Sequence, residues 1–308
     1  MSAGPSHYAV VDVTSWRAIG DEQLGTKPKR WLMHPDSGER WLLKYVTHST
    51  RNDGTRYQKG DDWAERVAFD VARKLGIPAA RIELAVEHSS GATRLGIISR
   101  SVLAASDAQG RPTEELVPGN ELLAKPVSEG ARHGYTVEAV EQALLPVQPP
   151  SESRLGLSAW DIFVGYLVLD ALIGNTDRHE ENWAAVANLR ERRLAPTFDH
   201  ASSLGFLLSD EQRQQRLATA DQGFTPEGFA DRAKSPFVGK PHPIEVARVA
   251  LDRCAADVKD HWLSQCSDAD RLTEAVALVP RNRMSATAQQ FAERVLRRNI
   301  ARLLGARR

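Results

Sequence analysis

Two cysteines in 308 residues, Cys254 and Cys266, are too few for a disulfide framework, and their helical-looking surroundings make free thiols the expectation. Neither charge sign is in excess. Forty Lys and Arg balance forty Asp and Glu, which removes the global positive field that autonomous nucleic-acid binding needs. Long apolar runs are missing as well. The longest, Ile162 to Ile173, is broken by Gly165 and Asp170 and is too short to cross a bilayer. The N-terminus lacks the basic-then-apolar pattern of a secretion signal, so a cytoplasmic location is expected. No H-E-x-x-H and no paired-cysteine spacing occurs, which argues against a zinc centre. Internal repeats and low-complexity tracts are also lacking. What is present, 42% hydrophobic and 26% charged residues, suits a globular protein with one large core or two lobes.

The first hundred residues read as strands with one helix. Arg30–His34 and Glu39–Val46 flank Pro35-Asp-Ser-Gly38, where Pro presets a turn angle and Gly accepts positive φ. Ala64, Val67, Ala68, Val71, Ala72 and Leu75 recur at three and four, predicting a helix over 61–75 that Gly76 and Pro78 stop. Ile82, Leu84 and Val86 alternate as a strand, Ser89–Gly91 turns, and Leu95–Ser99 returns. Residues 114–145 read as partly helical and 146–153 as a loop. Ser158 opens a helix that is apolar nearly all round to Ile173, a pattern that predicts burial, and Gly174 closes it. Trp183–Val186 and Leu194–Phe198 are expected to form a small hairpin, and residues 205–243 read as loop. From Pro243 the chain reads as helical, ending in a helix with a Ser285 cap, an apolar stripe of Phe291, Val295 and Leu303, and Gly305 beyond it. The arginines of that helix, Arg294, Arg297, Arg298 and Arg302, are expected to form a solvated face.

Chemistry concentrates in Leu172-Ile-Gly-Asn-Thr-Asp-Arg-His-Glu-Glu-Asn182-Trp and in Ala195-Pro-Thr-Phe-Asp199. Asp177 and Asn182 have the Asp-x-x-x-x-Asn spacing of a phosphotransferase loop, and the hairpin returns Asp199 to the same place. One carboxylate would orient an attacking hydroxyl, while an amide oxygen and a second carboxylate, Asn182 and Asp199, would hold Mg2+ on the phosphates of ATP. Lys44, in a strand between Leu43 and Tyr45, is the candidate phosphate grip. Glu65 is either its partner on the first helix or part of a capping box over Asp62–Glu65. Gly25 and Thr26 lie where a phosphate-covering loop would sit, although G-x-G-x-x-G is not present. The lobes are expected to cross at Ser99–Val102, which makes Ser99 and Ser101 candidates at the nucleotide. His179 is read as bracing the catalytic loop and His200 is given no role. Arg178 is read as neutralising phosphate or pairing with Glu180 or Glu181.

These motifs resemble the HipA-like serine/threonine kinases of bacteria. That family carries I-G-N-x-D-x-H-x-x-N and then L-A-P-x-[YF]-D. Here they read Ile173-Gly-Asn-Thr-Asp-Arg-His-Glu-Glu-Asn182 and Leu194-Ala-Pro-Thr-Phe-Asp199. Asp177-Arg-His179 is also similar to phosphoinositide lipid kinases. Lys44-Tyr45 and the helix ending Leu75-Gly-Ile-Pro78 look like the family's ATP-lysine strand and lobe helix, so the resemblance covers roughly residues 20–205.

The resemblance implies an α+β, two-lobed protein-kinase-like fold, with a strand-rich nucleotide-binding lobe over 1–102 and a helical lobe over 103–308. It implies ATP and Mg2+, a protein substrate with a Ser or Thr acceptor, and a compact form without the extra N-terminal subdomain of full-length toxins. Many relatives are toxins restrained by a DNA-binding antitoxin, which opens a toxin role and an antitoxin partner. Many also regulate themselves by phosphorylating the phosphate loop, where this chain offers Thr26 rather than a serine. Two other readings stay open: a small-molecule or lipid kinase, because the same phosphate machinery serves any hydroxyl, and a nucleotide-sensing pseudokinase module.

Overall fold

A computed structural model describes residues 7–22, 28–51, 53–89, 91–103, 112–124, 134–153 and 156–305. The fold is mixed α+β, strand-rich in its first third and helical toward its end, as expected from sequence. The strands are β1 (Val10–Asp12), β2 (Arg17–Glu22), β3 (Lys29–Met33) and β4 (Arg40–Tyr45), then a separate hairpin of β5 (His48–Thr50) and β6 (Arg56–Gln58). After helix α1 (Asp61–Leu75) come β7 (Ile82–Ser89) and β8 (Ala92–Arg100). The six-stranded sheet has the order β1-β7-β8-β4-β3-β2, antiparallel except that β1 runs parallel to β7. The β3–β4 turn is the one that Pro35 and Gly38 mark, with Gly38 at φ 67. Gly76 ends α1 in the left-handed conformation expected of a C-terminal glycine.

The two faces of this sheet have different tasks. Leu32, Trp41, Leu43, Ala85 and Ile98 pack with Val13 in a small core on one face. On the other, Ile82, Leu84 and Ile97 join α1 in the main core, which continues without a break into the C-terminal helices. The first helix is thus built into the helical half of the molecule.

Further along the chain come β9 (Glu115–Pro118), α2 (Gly119–Leu122) and α3 (Val137–Leu144). The strand β9 is an addition to the partly helical reading of 114–145. The buried helix α4 (Ala159–Ile173) keeps its predicted limits. Ser158 and Asp161 form a capping box at its start, and Gly174 turns left-handed at its end. The hairpin β10 (Ala184–Ala187) and β11 (Arg192–Leu194) pairs with β9 in a three-stranded sheet of order β11-β10-β9. Its second arm is shorter than expected: Ala195–Phe198 leaves the ladder and leads directly to Asp199.

Residues 205–243, read as loop, contain α5 (Asp210–Ala218) and α6 (Pro226–Ala230). The sequence of α5 is polar almost throughout, and the only residue it buries is Arg213, so apolar periodicity could not reveal it. Its signal was the Ser209–Gln212 capping box. The helices α7 (Pro243–Leu251), α8 (Ala256–Gln265), α9 (Ala269–Ala277) and α10 (Ala286–Leu303) complete the chain, with the predicted Ser285 cap.

The face of α10 is not merely solvated. Arg294 pairs with Glu227, and Arg298 and Arg302 both reach Asp231, so these arginines fasten α6 to α10. Cys254 and Cys266 are free thiols. No helix among the described residues is long and apolar enough to cross a membrane.

Candidate active site

The site is assembled at the C-terminal end of α4, where the chain leaves the core. Leu172 and Ile173 anchor the helix end in the interior, and Asn299 of α10 donates to the Leu172 carbonyl at 3.0 Å. The loop that follows is organised by Asp170, a carboxylate inside an otherwise apolar helix. Such a group must find a cation and donors. Arg178 supplies two bonds to it, from Nε at 2.7 Å and Nη2 at 2.9 Å, and Asn175 Nδ2 adds a third at 2.8 Å. Asn175 Oδ1 then accepts from the Asp177 amide at 3.0 Å, which shapes the turn that carries Asp177.

Arg178 therefore neither faces a phosphate nor pairs with Glu180 or Glu181. It is 1% exposed. Besides Asp170 it donates to the Asn182 carbonyl, to Thr197 Oγ1 at 2.9 Å and to the Phe198 carbonyl at 3.4 Å. One buried guanidinium ties the loop bearing Asp177 and Asn182 to the segment after β11 that bears Asp199. Thr197 Oγ1 also meets His200 Nε2 at 2.8 Å, and burial keeps the His200 pKa well below its usual value. His200, given no role from sequence, is a neutral member of this network. Asp170 was visible only as a break in an apolar run, and that break was the available signal.

Asp177 projects from the network into the open, its side chain 49% exposed. Ser202 Oγ approaches its Oδ2 at 3.4 Å, and His179 Nε2 lies 3.8 Å from Oδ1. His179 also accepts the Glu181 amide at 3.2 Å, in keeping with a brace inside the loop. Asn182 donates its Nδ2 to the Asp177 carbonyl at 2.6 Å, which commits the nitrogen and leaves the amide oxygen as the free end. The loop's far end is held by α2. The Gly119 amide donates to the Trp183 carbonyl, and a Cβ at Gly119 would lie 2.1 Å from the Trp183 ring.

Asp199 adopts φ 60, a left-handed conformation that is costly for a residue other than glycine and occurs where the surroundings over-determine it. Lys44 Nζ donates to its Oδ1 at 3.1 Å, with the two side chains 20% and 31% exposed. Burial works against the Lys44 ammonium, but Asp199 and Glu65 more than offset it and the pKa is raised. Lys44 in turn holds the Asp199 carboxyl well below the usual carboxylate range.

Glu65 is 1% exposed, and no side chain bonds its carboxylate, which only the His200 backbone approaches. Burial pushes its pKa up to about 7, against the pull of Lys44. It caps nothing: Gly60 is the residue before α1, without a side-chain cap.

Ser99 lies opposite Leu42 in the β4–β8 register, two residues from the pairing of Lys44 with Ile97, and so shares the Lys44 face. Ser101 turns inward on its own loop, where its Oγ accepts the Leu103 amide at 3.2 Å. Gly25 and Thr26 lie outside the described residues.

Asn182 Oδ1 and the Asp199 carboxylate are the groups that could hold a metal ion here. No cluster of three or more His, Cys, Asp or Glu side chains that could hold a metal occurs among the described residues. An amide oxygen and one carboxylate, completed by phosphate oxygens and water, are what Mg2+ commonly takes beside a nucleotide.

This arrangement sits in a kinase-like fold of the compact HipA-like type. The structure is similar to that of the Helicobacter pylori proinflammatory kinase CtkA, with a TM-score of 0.72 over 97% of this chain and 96% of that one, at 17% identity. It is also similar to HipA of Shewanella oneidensis MR-1, solved with HipB and operator DNA, with a TM-score of 0.51 over 94% of this chain and 66% of that one, at 13% identity. At these identities the likeness is one of fold. No protein-family model and no curated protein matches the sequence.

Proposed function

We propose that the protein is an ATP- and Mg2+-dependent kinase that phosphorylates serine or threonine hydroxyls of a protein. The observation that carries this reading is the meeting of Lys44, from the sheet, with Asp199, from the segment that follows β11. In this reading residues 1–102 form the nucleotide-binding lobe and 103–308 the lobe with the catalytic loop. The Ser99–Val102 segment would border the base, with Ser99 facing it and Ser101 supporting the turn. Gly25 and Thr26 would lie over the phosphates.

Each residue then has a task set by its environment. Asp177, half exposed, accepts a hydrogen bond from the incoming hydroxyl and orients it. Asn182 Oδ1 and the Asp199 carboxylate offer oxygen to magnesium. Lys44 would turn from Asp199 to the phosphates, with the Glu65 carboxylate beside it. Bound magnesium would neutralise the charge that develops on the transferred phosphoryl group.

The test is incubation of the purified protein with γ-labelled ATP, with and without magnesium, in the presence of a mixed protein fraction. Label on serine or threonine supports the reading. Phosphorylated metabolites without labelled protein would replace it with a small-molecule kinase. ATP binding with no transfer to anything would replace it with a nucleotide-sensing module. A toxin role with a protein antitoxin is a further proposal, supported by the likeness to HipA, which was solved with HipB and DNA. Co-purification of a second protein with the tagged chain from its own cells checks it.

A further inference from the structure

The register of β3 and β4 places Lys29 directly opposite Lys44. Directly opposed residues of an antiparallel pair project on the same side, with their Cβ atoms about 4.5–5.5 Å apart. The alternate positions, Leu32, Trp41 and Leu43, turn to the small core on the other face. Lys29 therefore projects with Lys44 toward Asp199. Like charges set opposite one another in a sheet are destabilising. Glu22 on β2 opposes Lys29 from the other side, where it also accepts from Trp31 Nε1, and Asp199 is bonded to Lys44. The two ammonium groups thus stand among Glu22, the committed Asp199 and the protonatable Glu65.

We propose that Lys29 is a second phosphate-binding lysine, which together with Lys44 takes up the negative charge of a nucleoside triphosphate. The inference rests on the kinase reading and adds to it a residue that no motif marked. Burial, and after it the Lys44 charge, lowers the Lys29 pKa, while Asp199, Glu22 and Glu65 pull it the other way. Were a metal to take Asp199 and Lys44 to turn to Glu65, Lys29 would keep Glu22 opposite it on one side and Lys44 on the other, which leaves the two lysines side by side for an anion. A polyphosphate is the anion class that fits, because it presents several charged oxygens to two ammonium groups on adjacent strands.

The experiment is equilibrium binding of ATP, ADP and AMP, with magnesium present, to wild type, Lys29→Met, Lys29→Arg and Lys44→Met. Melting curves confirm that each variant is folded, and Lys29→Gln replaces the Met variant if that one is not. The expected result for Lys29→Met is ATP affinity reduced about tenfold and AMP affinity unchanged, with Lys29→Arg within about threefold of wild type. ATP affinity unchanged in Lys29→Met, while Lys44→Met loses it, overturns the role of Lys29 and leaves the kinase reading intact. Equal loss for ATP and AMP also overturns it, because the effect would not follow the phosphates. Wild type that binds none of the three nucleotides overturns the kinase reading itself.

Discussion

Asp177 and Glu65 stand at opposite ends of the burial range, and their variants should part accordingly. Asp177 is half exposed and accepts a single long bond from Ser202. Asp177→Ala should lower phosphotransfer by about 10²–10⁴-fold and move the melting temperature by no more than about 2 °C. Glu65 behaves the other way. An acid whose folded pKa is raised stabilises the fold at low pH, and that contribution is lost as pH rises from the unfolded value of 4.5 through about 7. Glu65→Gln should therefore match wild type in stability at pH 4 and exceed it at pH 8, by on the order of 1–3 kcal/mol. It should also lower activity, because Lys44 loses the carboxylate it turns to. Thermal melts at the two pH values, read beside a rate assay, check both signs.

The neighbourhood of Asp177, Asn182 and Asp199 could be read from sequence because the three lie on one short loop and on the segment just past one hairpin, where sequence spacing translates directly into position. Arg178 was not. Its partner was sought among adjacent glutamates, whereas the chain folds back at Gly174 and brings the guanidinium against Asp170 inside the helix. Lys29 shows the same limit from the sheet: only the strand register reveals what it opposes.

At the scale of elements, the helix α4 was readable to the residue because its apolar character, its Ser158 cap and its Gly174 stop agree. The same signals failed for α5, where solvent-facing polar residues hide the period and only the capping box remains. The pairing of α6 with α10 could not be foreseen either, since Glu227 and Asp231 lie 67 residues from the arginines they meet, Arg294 and Arg298. Asp231 accepts from both Arg298 and Arg302 in partly buried geometry. Asp231→Ala should cost about 1–2 kcal/mol by denaturant unfolding, most clearly at low salt. Within the loop, Arg178→Met leaves Asp170 buried without its cation and should cost about 3–5 kcal/mol, a loss that chemical denaturation would register even if some activity survives.

At the scale of the whole molecule, the sheet and the helical half are joined by more than a hinge. Arg283, in the turn between α9 and α10, donates twice to Asp62 of α1, and both side chains are 1% exposed. The same guanidinium reaches the Ala85 and Gly96 carbonyls of β7 and β8 at 3.0 and 2.7 Å. It therefore fixes α1, and with it Glu65, against both the sheet and the last helices. With a continuous core on that side, unfolding should be a single transition in which tryptophan fluorescence and far-UV circular dichroism coincide. Arg283→Met should lower stability by about 3–5 kcal/mol, because it strands the Asp62 carboxylate in the interior. Two separate transitions would show that the sheet folds apart from the helices.

In the proposed division of labour Asp177 serves the acceptor hydroxyl and Asp199 the metal and nucleotide. It is tested by measuring Mg2+-ATP affinity and transfer of the γ-phosphoryl group in wild type, Asp177→Ala and Asp199→Ala under the same conditions. Asp177→Ala should bind Mg2+-ATP like wild type but transfer orders of magnitude more slowly, whereas Asp199→Ala should lose magnesium-dependent binding and transfer together. Undiminished transfer in Asp177→Ala, or magnesium-dependent binding undisturbed in Asp199→Ala, would contradict it.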